Sequence, residues 1–490
     1  MKILSNILKS SLVIALLATG ACTQFTDFGD LNVSPNDPST PNSGSLLTNA
    51  MIWVGNVTTE VTPSLYVQHL GEVIYIEESR YKTVNFDYDY LFTGSPFTRP
   101  TTGPLNALNT VIKLNTDAAT KVAAAANGSN ANQIAVARIL RAFFFLNITD
   151  RWGDVPYSQA LKGSAAFSPV FDTQQAIYTD LFKELKEAQA QFDGGDHITG
   201  DIMLHGDNAA WKKFANSLRV IMALRLSKVD AAKGKTEFVA ALADGAITSN
   251  ADNITFTFLK DANYESPLFT NYITSNRKDY AVSNTLIDYL VKTKDPRIAA
   301  FAEKATATQT YKGVPYGVFP ITWQTAADVS LISEDLAAQD ATVNVVTYAQ
   351  MLFSRAEAAK LGWITGNVKQ LYEDAIKASM QQWHVFTTDA DFATYLKGAD
   401  VAFSDTKAIE LIGTQKWVAL FYQGYEAWAE WRRLGFPVLK PAAKPLNTSG
   451  KIPRRHAYPT SEATLNKVNY DEAVKRQGAD VHDTKVWWDK

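Results

Sequence analysis

The sequence predicts a mostly α-helical protein in which a scaffold of helix pairs supports a loop-rich half containing short strands. Three observations predict this. Apolar residues recur every three or four positions over several long stretches, the spacing of one buried helix face. Two such stretches, TYAQMLFSRAEAAKLGW (347–363) and QLYEDAIKASMQQW (370–383), flank a glycine-containing turn, as in a helical hairpin. Two other segments, 253–345 and 436–490, lose that period and collect turn pairs and prolines.

The elements follow in chain order. Lys2 and Lys9 precede an apolar run from Leu12 to Ala18, and small residues lead to Cys22, the one cysteine. A basic start, a short apolar run and a small-residue end describe a secretory leader over 1–21. The run is shorter than the roughly 20 residues that span a bilayer. The residues before Cys22 resemble a lipoprotein processing site, with Thr19 where such sites usually carry Leu. Cys22 is therefore expected to become a lipidated N-terminus, so that the membrane is met only through lipid; ordinary secretion with an inert thiol is the alternative. Residues 22–45, with SPNDPSTPNSGS at 34–45, read as an extended tether, and 46–490 as one domain.

Within that domain, Ile134, Ala137, Leu140, Phe144 and Ile148 share one helix face, and the helix is expected to stop at Trp152-Gly153-Asp154. Gln174 to Phe192 forms an amphipathic helix. Asp207 is the expected N-cap of a helix that lines up Trp211, Phe214, Leu218 and Ile221. Ala356, Ala359, Ala375 and Ala378 would let the helical hairpin close tightly. Trp211, Trp383, Trp417 and Trp428 sit at helical spacing among apolar partners and belong to the core. ITFTF (254–258) alternates as a strand does, and Ser283 to Val291 reads as a helix ending before Asp295-Pro296. The scaffold thus covers about 46–252 and 346–435, and the loop-rich half about 253–345 and 436–490.

Charge and motifs exclude more than they name. With 47 basic and 50 acidic residues, a net charge of −3 and no basic stretch, nothing predicts a nucleic-acid partner. H-E-x-x-H, G-x-S-x-G and G-x-G-x-x-G are absent from the sequence. Gly234-Lys235-Thr236 copies the end of a P-loop, but Val229 stands where its first glycine belongs. One cysteine builds neither an intramolecular disulfide nor a Cys-rich zinc site. No catalytic residue, metal or cofactor is expected. The aromatic residues (25 Phe, 20 Tyr, 11 Trp) are more informative. Sugar rings stack their C–H faces on aromatic rings while Asn, Asp, Gln and Arg read the hydroxyls, so such ligands call for aromatics beside polar groups on loops. Tyr264, Tyr272 and Tyr280 interleave with Asn271, Asn276 and Arg277; Tyr316 and Trp323 precede Gln324; Tyr88 adjoins Asp89. In a competing reading these rings all pack, and the protein is a helical assembly module without a small ligand. The 50 acids also leave open a glycoside hydrolase, whose paired carboxylates come from distant elements.

Several phrases together resemble the SusD/RagB family of outer-membrane nutrient-binding lipoproteins. They are the Cys22 site, NVSPNDPSTPNSGSLLTNAM (32–51), ARILRAFFFLNITDRWGDVPYSQAL (137–161), WKKFANSLRVIMALRLS (211–227), Lys-Asp-Pro-Arg (294–297), YAQMLFSRAEAAKLGW (348–363), EAWAEWRRLGFPVL (426–439) and KVWWD (485–489). The resemblance implies tetratricopeptide-like helix pairs beneath an irregular ligand-binding half. It implies a cell-surface lipoprotein that binds oligosaccharides, or in some members peptides, and delivers them uncleaved to a SusC-like TonB-dependent barrel in the outer membrane. The helix-pair face would be the docking surface for that barrel. The family's ligand loops align with roughly 75–100, 260–282 and 314–330. Relatives often carry a Trp in the first of these, where this chain reads FTGSPFTRP (92–100). The Trp-Gly-Asp-Val-Pro-Tyr phrase and the Arg pairs 432–433 and 454–455 are expected to hold the fold.

Overall fold

The computed structural model describes residues 41–82, 86–95 and 100–490. The expected leader, Cys22 and most of the expected tether lie outside these residues. The first helix, α1 (Ser43–Thr58), already includes the last residues assigned to the tether. The buried Ser43 explains this, because its hydroxyl donates to Gln133 Oε1 at 2.6 Å and ties the start of the helix to the body.

Local chemistry sets most of the longer helices. α2 (Pro104–Thr116) opens on proline, whose fixed φ suits a first turn. α3 (Asn130–Trp152) stops at Gly153, where φ is 85° and a Cβ would strike the Gln477 side chain. α4 (Gln174–Gln191) is capped by Thr173 and α5 (Asn208–Arg225) by Asp207, which accepts from the Ala209 and Ala210 amides at 2.8 and 3.1 Å. Asp230, Ser283, Thr347 and Asn367 cap α6 (Ala231–Ala243), α7 (Asn284–Thr293), α8 (Tyr348–Lys360) and α9 (Val368–Gln382). Such a cap is worth about 1 kcal/mol. α10 (Ala408–Ala419), α11 (Gly424–Leu434) and α12 (Lys467–Gln477) follow.

Neighbours in sequence pack as pairs: α3 on α4, α5 on α6, α8 on α9. In the α8–α9 hairpin Ala356, Ala375 and Ala378 are buried between the helices and Ala359 is half-buried. Trp211, Trp417 and Trp428 are buried, and Trp383 packs half-buried on Phe301 and Phe421.

Charge sits at the centre of the scaffold. The fully buried Arg225 of α5 donates to Glu426 at 2.7 Å and to Glu430, both on α11. Lys416 of α10 reaches Glu430 at 2.7 Å, and Arg433 bridges Glu430 (2.6 Å) and Glu357 of α8 (2.7 Å). Burial opposes the charge on Glu430, but Arg433, Lys416 and Arg225 outweigh it and hold its carboxyl well below the usual range. Arg432 donates to the Asp150 and Arg454 carbonyls at 2.7 and 2.9 Å, and Arg455 pairs with Asp480 at 2.8 Å. The arginine pairs do hold the fold.

Among the described residues the strands are short and pair antiparallel, two by two. They are β1 (Leu70–Glu72), β2 (Val155–Pro156), β3 (Phe171–Asp172), β4 (Ile254–Thr257), β5 (Tyr280–Val282) and β6 (Thr342–Val346). β1 pairs with β5, β2 with β3 and β4 with β6. β1–β5 joins the scaffold to the loop-rich half. A second joint is the buried Asp295–Arg297 pair (2.6 Å), where Arg297 also donates to Gln415 of α10 at 2.6 Å. The expectation that 436–490 is irregular is corrected by α12, which Arg476 fastens to Asp154 at 3.0 Å and Gln477 to the Trp152 carbonyl at 2.9 Å.

Candidate functional site

The three loop segments singled out by sequence do converge. Val73, just past β1, donates its amide to the Asp279 carbonyl at 2.7 Å, and its own carbonyl accepts from Trp323 Nε1 at 2.9 Å. The turn that follows is flanked on one side by Arg277, whose guanidinium lies 5.1 Å from the Tyr75 ring centre. On the other side Arg80 lies 4.8 Å from the Phe319 ring centre.

Most of the expected rings do not face solvent. Trp323 is 5% exposed and Tyr272 5%. Trp323 is wedged against Val73, Val314 and Val329, and the Tyr272 hydroxyl donates to the Tyr280 carbonyl at 2.7 Å while accepting from Ile332 N at 3.2 Å. Tyr316 is buried beside Tyr81, and Tyr88 is buried with its hydroxyl on Glu462 at 2.6 Å. None of these four offers a broad free face for stacking, and the polar tips of Trp323, Tyr272 and Tyr88 meet interior partners. Asn271 is likewise turned inward, donating to Asp279 Oδ2 at 2.8 Å and accepting from the Asp279 amide at 3.0 Å. Tyr280 lies half-buried in β5, where burial raises its hydroxyl pKa. Asp89 is half-buried, and burial, then Asp87 and Glu462, push its carboxyl up to about 6. Asn276, Arg277 and Gln324 are exposed, with Arg277 held to Asp279 at 2.8 Å. The outward rings are Tyr75, 67% exposed, and Phe319, 57% exposed.

Of the expected residues, Tyr264, 36% exposed, enters a cleft of about 560 Å³. One wall is scaffold: Trp53, Asn56 and Glu60 from α1 and the turn after it, with Tyr90 from the first loop. The other wall runs from Ala262 to Thr274, with Asn263, Tyr264, Glu265, Thr270 and Thr274. Trp53 anchors its indole N–H on the Thr102 carbonyl at 2.8 Å and leans on Tyr90, ring centres 5.5 Å apart. Glu60 accepts from the buried Arg151 at 3.2 Å and from the Tyr90 hydroxyl at 3.3 Å. Glu265 accepts from the Thr270 and Thr274 hydroxyls at 2.9 and 2.7 Å and from Gln339 at 3.1 Å. Two part-exposed rings, Tyr90 and Tyr264, backed by a Trp53 that is only 3% exposed, stand beside amides, hydroxyls and carboxylates, as a ligand with apolar faces and many hydroxyls requires. The short helical element over 267–274 is a partition. Thr270 and Thr274 face this cleft, while Phe269, Tyr272 and Ile273 line a second hollow of about 470 Å³ on its other side.

Trp53 and Glu60 escaped sequence reasoning because a Trp inside an apolar helix reads as core and a Glu after a helix reads as solvated. Tyr90 stands two residues from the expected Tyr88, and nothing in the sequence separates it from the neighbouring aromatics.

These elements define a class: a paired-helix scaffold presenting a loop-walled aromatic cleft. The family model described as "Starch-binding associating with outer membrane", SusD-like, matches residues 35–459, and the chain belongs to that family. Among solved structures, a chitin-binding protein is 29% identical, with a TM-score of 0.77 over 91% of this chain and 100% of its own. A Bacteroidetes AC2a SusD-like protein is 25% identical, with a TM-score of 0.76 over 92% and 100%. A chitin-binding SusD homologue from Flavobacterium johnsoniae, 24% identical, shares the fold with a TM-score of 0.74 over 91% and 98%. No curated protein matches the chain. The family is outer-membrane associated, and among the described residues no helix is long and apolar enough to cross a membrane.

Proposed function

We propose that the protein is a cell-surface lipoprotein, anchored through Cys22, that binds oligosaccharides in the Trp53–Tyr90–Tyr264 cleft. It passes them uncleaved to a SusC-like TonB-dependent barrel in the outer membrane. The observation that carries the reading is the cleft itself, where aromatic side chains and hydrogen-bonding groups from two walls meet in a space of about 560 Å³. Family membership and the chitin-binding names of two structural relatives support a glycan rather than a peptide as cargo. Binding is the role the family description names.

Calorimetry with chito- and malto-oligosaccharides tests the reading. Tyr264→Ala should weaken binding about three- to tenfold, the worth of one stacking ring, with little change in melting temperature because the ring is part-exposed. Unchanged affinity for an oligosaccharide that does bind removes the cleft from consideration. Mild-detergent purification of the chain with its lipid should co-purify a large β-barrel; recovery of the chain alone counts against delivery to a transporter.

A further inference from the structure

The charge lining the cleft is one-sided. Among the described residues that line it, Glu60 and Glu265 are the charged groups, and no Lys, Arg or His joins them. The two are not equivalent. Glu60 is neutralised by Arg151, 1% exposed behind it. Glu265 receives hydrogen bonds only from neutral donors, the Thr270 and Thr274 hydroxyls and the Gln339 amide. Among the described residues no cation stands within ion-pair distance of it. Neutral donors fix its position on the wall beside Tyr264 without cancelling its charge, so among the described residues the cleft has a negative charge next to its stacking ring with no cation paired to it.

We infer that Glu265 makes the cleft selective by charge: it favours oligosaccharides bearing a protonated amino sugar over their neutral N-acetylated counterparts, and disfavours uronic-acid oligomers. The inference rests on the reading of this cleft as the glycan site. A sugar stacked on Tyr264 places its substituents against the same wall, where an ammonium gains an ion pair, an acetamide gains a hydrogen bond at most, and a carboxylate meets a like charge. A part-exposed ion pair of this kind corresponds to about a fivefold difference in affinity. Raising salt should erode the difference, because the pair is reached by solvent.

Calorimetry on the intact protein, in low salt at a pH where the sugar amines are protonated, provides the test. The probes are a fully N-acetylated chito-oligosaccharide, its de-N-acetylated form and a galacturonic-acid oligomer of equal length. The expected order is de-N-acetylated about fivefold tighter than N-acetylated, and the uronate weakest. In Glu265→Gln, which keeps an acceptor oxygen for the two threonines, the ratio between the first two should fall to about one. A wild-type ratio near one, a ratio unchanged by Glu265→Gln, or uronate binding as tight as the neutral sugar overturns the inference while leaving the cleft reading intact. Failure of every probe to bind, or ligand affinities that Tyr264→Ala does not move, overturns both.

Discussion

The scaffold and the loop-rich half are held together by different chemistry. Where α5, α8, α10 and α11 meet, the cement is ionic: Arg225, Lys416 and Arg433 share Glu357, Glu426 and Glu430 in a region closed to water. Where 73–82, 271–280 and 314–332 meet, two of the joints are neutral, Trp323 on the Val73 carbonyl and Tyr272 on the Tyr280 carbonyl, while Asp279 holds Asn271 and Arg277 through a single carboxylate. Buried charges tolerate no misplacement, because a carboxylate that loses its partner inside a protein is strongly disfavoured. A neutral joint that opens leaves a group able to hydrate at modest cost. The difference places rigidity in the helices, which carry one wall of the cleft, and leaves the other wall on the part of the molecule with less to lose by moving.

The largest expected effect is in the ionic centre. Arg225→Met removes the cation shared by Glu426, Glu430 and Asp150, leaving Glu430 to Lys416 and Arg433, and should cost about 3–5 kcal/mol in urea-unfolding stability. A loss under about 1 kcal/mol would mean that the lattice is not the rigid element. Trp323→Ala should cost about 3 kcal/mol, the low end for a buried Trp. Its signature should be local: hydrogen-exchange protection should fall over 73–82 and 314–332 while α5, α8 and α11 stay protected. Uniform loss would erase the contrast between the two regions.

The most gradual effect is a pH slope. Glu72 in β1 accepts from the Ser79 amide and hydroxyl at 2.8 Å each, and burial outweighs those bonds to raise its carboxyl from 4.5 to about 8. The folded state therefore holds a proton that the unfolded chain releases near 4.5. Stability should fall as pH rises through about 4.5 to 8, then level off, at up to about 1.4 kcal/mol per pH unit. Glu72→Gln should flatten that slope relative to the wild type. Parallel profiles for the two proteins would show that the carboxyl titrates in its ordinary range.

The contrast also explains what could be read from the sequence. The start of α5 was legible because Asp207 acts on amides two and three residues away, and Thr173, Ser283 and Thr347 cap α4, α7 and α8 by the same local chemistry. The Ala-rich α8–α9 contact was legible because small residues at helical spacing have few other uses. The segments that form the loop face were legible from composition. Which ring of a segment turns inward was not: Phe319 and Trp323 lie four residues apart, and the partner that draws Trp323 inside is a carbonyl 250 positions away. Tyr75 stands exposed for the same reason, since Val73 fixes the direction of the turn through Asp279 and Trp323. Trp53 carries a helix-core pattern and is buried, 3% exposed, yet it also borders the cleft.

One feature of the cleft bears on engineering. Its walls belong to 52–60, 90 and 262–274, and the Arg151 that neutralises Glu60 comes from α3. The backbone of Arg151 is in turn gripped from far downstream, where the His456 amide donates to its carbonyl at 2.8 Å. Residues 253–345, which look from composition like a detachable recognition module, therefore carry one wall and no floor. Grafted onto another scaffold, they would transfer the appearance of a binding half and leave specificity behind; the smallest portable unit of recognition is the folded body from α1 to α12.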